Sequence, residues 1–246
     1  MIEIEHVTKT YAKHSDPAVK DLNIKIPDGK IFGFLGPNGA GKSTTIKMLI
    51  GILSPDLGTI SLNSSNTVTQ SLQTKAMIGY VPDEPRFYEK MTGRRHLEFI
   101  CDIFKVTDEQ RKERMIPLVQ RFELEKALDE EISSYSHGMK QKLAVIAALI
   151  HKPKILILDE PMVGLDPKAS FLLKETMKEY CKEGNTVFFS THIMEVAQEL
   201  CDLIGIINKG SLLFFGTVQE LQNAKGEGSD SLERLFLELT DKEVFK

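Results

Sequence analysis

The segment Gly36–Ser43 matches a phosphate-binding loop, the pattern G-x-x-x-x-G-K-[ST], at each fixed position. It consists of Gly36, Pro37, Asn38, Gly39, Ala40, Gly41, Lys42 and Ser43. Glycine lets backbone N–H groups curl around an anion in such a loop, and the helix that follows adds its positive N-terminal end. Lys42 is predicted to reach the β- and γ-phosphates of a nucleotide, Ser43 to bind Mg²⁺, and Thr44 to offer a further donor.

A second group of reactive side chains follows a short aliphatic segment. Residues 155–160 read Ile-Leu-Ile-Leu-Asp-Glu, and four aliphatic residues in a row are typical of a strand inside a parallel sheet. Because an unpaired buried charge is costly, the two acids need polar or cationic partners. Asp159 is predicted to bind Mg²⁺, through water, and Glu160 to polarise the attacking water as general base. Alone, the segment would also fit a strand that ends in exposed acids.

The elements that must position these groups alternate along the chain. Short runs with an apolar–polar alternation predict strands, and runs with apolar residues at helical spacing predict helices between them. Strands that alternate with helices imply a largely parallel sheet. We therefore predict an α/β fold with a P-loop NTPase core, a mainly parallel sheet, an N-terminal antiparallel β subdomain and a small helical insert. Predicted strands lie at 2–4, 24–26, 31–35, 59–63, 78–81, 155–158, 186–190, 204–208 and 212–215; predicted core helices lie at 42–50, 138–151, 168–183 and 195–201.

The predicted insert lies between residues 93 and 133. Apolar residues recur there at i, i+3, i+4 and i+7 in two stretches, which begin at Leu97 and Met115. Pro117 is predicted to start or bend the second helix. Residues 64–73 are predicted to form a polar loop, residues 225–231 a Gly/Ser-rich linker, and residues 232–239 a last amphipathic helix.

Composition indicates a globular protein and argues against several classes. The 246 residues suit one large domain or a domain with a subdomain, with 27% charged and 41% apolar residues. A net charge of −4 gives no general attraction to nucleic acid or anionic lipid, and no nucleic-acid partner is expected. The longest apolar run, residues 143–150, is far shorter than the roughly 20 residues of a membrane span. Cys101, Cys181 and Cys201 lack metal-ligand spacing and are predicted to be buried thiols of a reduced cytosolic protein.

A third motif relates the whole chain to a family. Residues 135–141 read Tyr-Ser-His-Gly-Met-Lys-Gln at a predicted helix start, shortly before the two carboxylates. With the phosphate-binding loop, this resembles the ATPase subunit of ATP-binding cassette (ABC) transporters, whose signature here is Leu-Ser-Gly-Gly-Gln. The resemblance implies that Ser136 and Gly138 cap the γ-phosphate of ATP bound to a second subunit, whereas a helix cap without a ligand is the alternative. His137 departs from the signature, because its side chain lies where glycine usually allows close approach.

Four further positions resemble functional residues of that family. Asp166 lies in a segment similar to the D-loop, which links the two ATP sites across the dimer, and His192 is similar to the switch histidine that contacts the γ-phosphate. Tyr11 fits the aromatic residue that stacks on adenine. Asp83 lies where the family usually has a glutamine that contacts Mg²⁺ or the lytic water. A carboxylate can accept such a contact but cannot donate, and an ordinary loop acid is an equal alternative.

The resemblance implies a subunit that binds ATP and Mg²⁺ and hydrolyses ATP. It also implies two partners: a second ABC ATPase subunit, in a homo- or heterodimer, and a separate transmembrane permease at the cytoplasmic face of the cell membrane. A non-transport ABC ATPase and a nucleotide-regulated binding module are the alternatives. The acidic charge balance and the short insert argue against the first, and the complete set of phosphate, metal and base residues argues against the second.

The chain end favours export over import. A short helix after a linker resembles the tail of cassettes that serve exporters of the Gram-positive type, whereas many sugar importers carry a large regulatory domain there. We assign residues 1–224 to the ABC ATPase domain, with a helical subdomain inserted at about 84–135, and residues 225–246 to the linker and the short C-terminal helix. The cargo does not follow from the resemblance, because the permease selects it.

Overall fold

Two β-sheets form the centre of the molecule. The structure is a computed structural model, and it describes residues 1–12, 15–223 and 232–240. The strands are Ile2–Lys9 (β1), Val19–Ile26 (β2), Ile31–Leu35 (β3), Leu57–Leu62 (β4), Ser65–Asn66 (β5), Ile78–Val81 (β6), Ile155–Leu158 (β7), Thr186–Thr191 (β8), Leu203–Asn208 (β9) and Ser211–Gly216 (β10). Four form an antiparallel sheet in the order β2-β1-β4-β5, and six form a second sheet in the order β10-β9-β3-β8-β7-β6. In the second sheet β10 is antiparallel to β9 and the other pairs are parallel, which confirms the predicted fold class.

Helices connect the strands and cover the second sheet. They are Lys42–Leu49 (α1), Ser71–Ala76 (α2), Gly93–Ile103 (α3), Asp108–Arg121 (α4), His137–Leu149 (α5), Pro167–Lys182 (α6), Met194–Leu200 (α7), Val218–Asn223 (α8) and Leu232–Thr240 (α9), with a 3-10 turn at Ile132–Ser134. Among the described residues, no helix has both the length and the apolar character needed to cross a bilayer.

The parallel sheet is buried on both faces, as its aliphatic strands predict. Along β7, Ile155 and Ile157 pack with α1 and the antiparallel sheet, whereas Leu156 and Leu158 pack with α5 and α6. All four side chains are fully buried. Burial of each side chain contributes about 1.5–3 kcal/mol to the stability of the fold. This packing fixes the position of β7, which ends immediately before the two carboxylates.

The register of the parallel strands brings the predicted site residues to one edge. Leu158, the last residue of β7, pairs with Val81 of β6 and with Phe189 of β8, and Leu35 of β3 pairs with Thr191 of β8. The segments that follow β3, β6, β7 and β8 therefore leave the sheet on the same side. This carboxyl edge is where open parallel sheets bind ligands.

The helices α3 and α4 lie between β6 and α5, in the region predicted for the insert. Thr92 caps α3 and Thr107 caps α4; in return, the backbone N–H of Thr107 donates to the side-chain oxygen of Gln110. Tyr135, 5% exposed, donates its hydroxyl to the carbonyl of Ala127 at 2.6 Å and so ties this region to the start of α5. The division into domains that we predicted from the sequence remains a prediction.

Two predictions from the sequence differ from the structure. Pro117 does not start the second helix of the insert, because the Thr107 cap starts it at Asp108 and the helix continues past the proline. The polar segment 64–73 is not simply a loop: it contains β5 and α2, and the Asn66 carboxamide there accepts the N–H groups of Val68 and Thr69. The sequence analysis also missed α8. The predicted linker 225–231 lies outside the described residues.

The cysteines were predicted to be buried thiols, and the structure agrees for Cys101 and Cys181 but has Cys201 only partly buried. Cys101 and Cys181 are buried and Cys201 is partly buried, all three without a disulfide. Burial raises the pKa of the Cys181 thiol to about 11. These side chains therefore serve as packing groups.

The C-terminal helix α9 packs on the core through one face. Leu232 and Leu235 are fully buried against α7, α8 and β9, and Asn208 of β9 donates its amide to the carbonyl of Thr240 at 2.8 Å. Leu237, on the same helix, is 39% exposed. The helix therefore covers α7, which begins two residues after His192.

Truncation of Leu235 tests this packing. The change Leu235→Ala is expected to lower the free energy of unfolding by about 2–5 kcal/mol, because it removes buried methyl groups and leaves a cavity. The matched control Leu237→Ala is expected to cost less than about 1 kcal/mol. Equal losses in urea unfolding for both variants would contradict the docking of α9.

Candidate functional site

The loop Gly36–Ser43 follows β3 and opens α1, and its shape requires glycine at two positions. A Cβ atom at Gly36 would lie 2.5 Å from the carbonyl oxygen of Ile207, and one at Gly41 would lie 2.5 Å from that of Ala18. Gly41 also has φ +114°, in the left-handed region. The loop encloses a cavity of about 190 Å³ that is lined by Ala18, Pro37, Asn38, Gly39, Ala40, Gly41, Lys42, Ser43, Thr44, Asp83 and Glu160.

Lys42 extends its ammonium group into this loop. It is 6% exposed, and its Nζ donates to the carbonyl of Gly36 at 2.7 Å and lies 3.3 Å from Oε1 of Glu160. The first turn of α1 contains no acidic residue. An ammonium group, free N–H groups and a helix N-terminus at one place form a site for a polyanion such as a nucleotide phosphate.

Asp159 and Glu160 follow β7 and share a hydroxyl group on the neighbouring strand. Ser190 of β8 donates its Oγ–H to Asp159 at 2.5 Å and accepts the backbone N–H of Glu160 at 3.0 Å. Asp159 is 6% exposed and Ser190 is fully buried. One hydroxyl therefore fixes the orientation of one carboxylate and the backbone of the other. The sequence analysis missed Ser190, although its place at the end of a core strand, two residues before His192, is a usable signal.

Glu160 is the most constrained residue of the site. Its φ of +46° lies in the left-handed region, which costs a non-glycine residue about 1–2 kcal/mol. Its carboxylate lies between two cationic or polar groups: Oε1 faces the Lys42 ammonium and Oε2 is 3.0 Å from Nδ1 of His192. Backbone strain of this size is typical of functional sites. The structure thus brings together three residues predicted from separate motifs.

Asp83, in the loop after β6, also lines the phosphate cavity. Partial burial raises the pKa of the Asp83 carboxyl group, and the negative charges of Asp159 and Glu160 raise it further. The nearby His137 partly offsets this rise. Burial and the charges of Asp159 and Asp83 likewise raise the pKa of the Tyr80 phenol to about 12. Asp83, Asp159 and Glu160 thus lie at the same edge of the sheet, an arrangement that suits a bound cation.

The carboxylates fit one hard cation that also binds a substrate phosphate. Within the described part of the chain, no group of three or more His, Cys, Asp or Glu side chains is arranged to hold a metal on its own. Mg²⁺ needs no such cage, since it usually takes one or two protein oxygens, phosphate oxygens and water. Ser43 lines the phosphate cavity, and one Asp159 oxygen accepts from Ser190, which leaves the other to accept a Mg²⁺-bound water.

Tyr11 lies at the outer end of the phosphate loop. Its hydroxyl is 3.3 Å from Oγ1 of Thr44, and the side chain is 37% exposed. An exposed ring beside the start of α1 can stack on a planar base whose phosphates occupy the loop.

Ser136, Gly138 and Asp166 do not line the phosphate cavity. Tyr11, Gly36, Asp159 and His192 are also outside its lining, but each contacts or adjoins a residue that lines it. Ser136 is exposed and caps α5 by accepting the N–H of Met139 at 3.3 Å, and Asp166 caps α6 by accepting the N–H of Ala169 at 2.9 Å. Hydrogen bonding to that backbone group lowers the pKa of Asp166. Within one chain, therefore, Ser136 and Asp166 act as helix caps. The role predicted for Ser136 and Gly138, at the ATP of a second subunit, stays a prediction.

Comparisons with known proteins match this chain to one family. A family model described as ABC transporter matches residues 19–163. The ABC-type transporter ATP-binding protein EcsA of Bacillus subtilis (strain 168) is 35% identical over 99% of this chain and 98% of that protein. The Nod factor export ATP-binding protein I of Paraburkholderia xenovorans (strain LB400) is 36% identical over 89% of this chain and 72% of that protein.

Solved structures agree with the sequence matches. The structure of an ATP binding subunit of an ABC transporter superposes with a TM-score of 0.92, at 32% identity, and covers 97% of this chain and 99% of that one. The ATP-binding cassette MJ0796, a dimer in a post-hydrolysis state with ADP and Pi, superposes with a TM-score of 0.79, at 25% identity, over 89% and 99% of the two chains. The matches extend over nearly the whole chain and include its phosphate and carboxylate motifs, so this protein belongs to the ABC transporter family and is an ATP-hydrolysing, ATP-binding subunit of that family.

Proposed function

We propose that this ATPase powers a separate membrane permease as one half of a pair of cassettes, with two ATP·Mg²⁺ held between the subunits. The observation that carries the proposal is that one chain holds both a phosphate loop and a second exposed helix N-terminus, at Ser136. The Lys42 loop has its base, Glu160, beside it, whereas the exposed cap at Ser136 lines no cavity with that loop. Two chains placed head to tail would complete each site with the other's Ser136–Gly138 segment, and MJ0796, a relative of similar fold, forms a dimer.

The proposed chemistry assigns one task to each group around the loop. Lys42 would hold the β- and γ-phosphates. Ser43, Asp159 and Asp83 would hold Mg²⁺, which would offset the phosphate charge. Glu160 orients and deprotonates the attacking water, since its carboxylate faces the cavity. His192, directly after β8, contacts Oε2 of that carboxylate through its Nδ1 atom. From this place it would contact the γ-phosphate. Tyr11 stacks on the adenine, and Asp166 joins the two sites across the pair.

A groove beside the helical insert is the proposed contact with the permease. It has a volume of about 400 Å³, and its walls come from α3, α5 and the segment that follows Asp83. Phe87 packs edge-on against His96 in one wall, and Ile52 at the rim is 70% exposed. Lys75 and Arg86 also line it, so it suits a short helix with an apolar face and acidic ends, from a cytoplasmic loop of the permease. A helix bound here would touch the segment that holds Asp83 in the ATP site.

Export is the direction we propose, and the cytoplasmic face of the cell membrane the location. The Nod factor export protein is a relative over most of this chain. The described C-terminal helix α9 packs onto the ATPase core and forms no separate domain. A non-transport role and a regulatory binding module remain the alternatives, which the permease experiment below separates from transport.

Removal of the Lys42 ammonium tests the phosphate site. Lys42→Ala is expected to abolish measurable ATP binding, because each charged hydrogen bond to phosphate contributes about 1.5–3 kcal/mol and more than one is lost. Lys47→Ala, an exposed lysine on the same helix, is the matched control. Unchanged ATP affinity for Lys42→Ala in isothermal titration calorimetry would rule out the assignment of the loop.

Neutralising Glu160 separates closure from hydrolysis. Glu160→Gln is expected to reduce ATP turnover by about 10²–10⁴-fold, the usual contribution of a general base. With hydrolysis blocked, the ATP-bound pair should accumulate as a dimer in sedimentation velocity, whereas Glu195→Gln, an exposed glutamate on α7, should behave as the wild type. A Glu160→Gln protein that stays monomeric with full turnover would refute the mechanism.

A charge placed in the groove tests the permease contact. Ile52→Glu is expected to reduce recovery of a polytopic membrane protein with the tagged chain by about tenfold or more, because the carboxylate would be desolvated in an apolar contact. ATP binding by the isolated variant should be unchanged. Leu72→Glu, at an 86% exposed leucine outside the groove, is the control. Equal recovery from detergent-solubilised membranes, or recovery of ribosomes instead, would refute the transport assignment.

A further inference from the structure

Helix α5 holds the loop between Glu160 and Asp166 at two points, one helical turn apart. The ring of His137 lies on Gly164: a Cβ atom there would be 2.3 Å from Cδ2 and 2.5 Å from Nε2 of the imidazole. Gln141, four residues later, is 1% exposed and directs its amide Nε2 to the carbonyl of Pro161 at 3.5 Å. Residues i and i+4 share a helix face, so one face of α5 contacts both ends of this loop.

The contact at Gly164 depends on the side chains present in this chain. Gly164 has φ +75°, so it adopts a conformation that favours glycine, and the ring fills the volume where another residue would have its side chain. A glycine at position 137, as in the family signature, would leave this volume empty. The next residue, Gly138, also lies beside this loop, since a Cβ at Gly138 would be 3.6 Å from the Gly164 carbonyl oxygen, an ordinary van der Waals distance.

The loop that the ring holds begins directly after the strained residue Glu160. Val163 donates its N–H to the carbonyl of Glu160 at 3.2 Å, and Leu165 donates to that of Met162 at 3.4 Å. A displacement of this loop therefore changes the backbone that presents the Glu160 carboxylate to the attacking water. At the other end of the contact, the residue before His137 is Ser136, the cap of α5.

We propose that His137 is a positioning residue: its ring fixes the loop 161–165 on the N-terminus of α5 and so couples Ser136 to Glu160 within one chain. The coupling rests on the proposed function, in which Ser136 binds the other subunit's ATP. Binding of that ATP then orders α5, the ring transmits this to Gly164, and Glu160 is aligned in its own site. The departure from the signature is thereby a part of the catalytic machinery.

Hydrogen–deuterium exchange on the full-length chain without nucleotide tests the positioning itself. His137→Ala is expected to accelerate exchange in the peptide that contains Val163 and Leu165 by about fivefold or more, because local opening becomes easier. His137→Phe retains a ring of similar shape and should leave exchange unchanged. Lys140→Ala is the control, since Lys140 lies on the same helix but pairs with Glu89. Equal exchange in all variants would overturn the proposal.

A double-mutant cycle shows whether the ring and Gly164 act on each other. Gly164→Ala alone should also accelerate exchange, since its methyl group meets the ring. In His137→Ala/Gly164→Ala that clash is gone, and the strain of alanine at positive φ is common to both backgrounds. The effects should therefore be less than multiplicative. A multiplicative result would show that the two residues are independent and would overturn the steric link.

Steady-state ATPase kinetics test the consequence for Glu160. His137→Ala is expected to lower kcat by about tenfold with KM for ATP within about twofold, because the ring acts on alignment and not on binding to Lys42. His137→Phe should restore kcat. A rise in KM with kcat unchanged would overturn the coupling. Failure of the proposed function is separate, because it would appear as a Glu160→Gln protein that stays monomeric with full turnover, whatever the exchange data show.

Discussion

The carboxylate of Glu160 can stay inside the protein only because an ammonium group and an imidazole lie against it. Its side chain is 12% exposed and that of Lys42 is 7% exposed, so both charges have lost most of their water. Breaking such a buried pair from one side typically costs about 3–5 kcal/mol, because it leaves a charge without compensation. The same pair places the base beside the phosphate loop, so the constraint that stabilises the site also defines its chemistry.

This arrangement depends on the strand order of the sheet. Glu160 follows β7, His192 follows β8 and the Lys42 loop follows β3, and these three strands are adjacent in the order β3-β8-β7. Ser190 of β8 also belongs to this group, because its hydroxyl donates to Asp159 and accepts the N–H of Glu160. A change in the order or register of the strands would move one of the three groups away from the cavity. The buried aliphatic residues of β7 thus act on catalysis through geometry.

The chemistry of the site could be predicted from the sequence because it lies in contiguous motifs. The phosphate loop and the strand Ile155–Leu158 have local patterns with few alternatives, and the structure has that strand at the predicted residues. Elements with short or polar patterns were missed. One of these, α8, had a readable signal, since Thr217 and Glu220 exchange capping hydrogen bonds. The helix α2 has no periodic apolar face, and the bond from Ser190 joins residues 31 apart, so neither follows from local spacing.

The two departures from the family signature next to Ser136 have different physical roles. Tyr135 is buried in the helical insert, where burial raises its phenol pKa and its hydroxyl meets Ala127; it also closes on Gly93, where a Cβ would be 2.3 Å from that hydroxyl. His137 is exposed, and its ring contacts a different element, the loop after Glu160. The cap at Ser136 therefore lies between two elements. One is the insert, which forms part of the wall of the proposed permease groove, and the other is the loop that follows Glu160. A movement of the insert can therefore reach the ATP site through this cap as well as through the Asp83 segment, because Tyr135 and His137 flank Ser136 on the same short stretch of backbone.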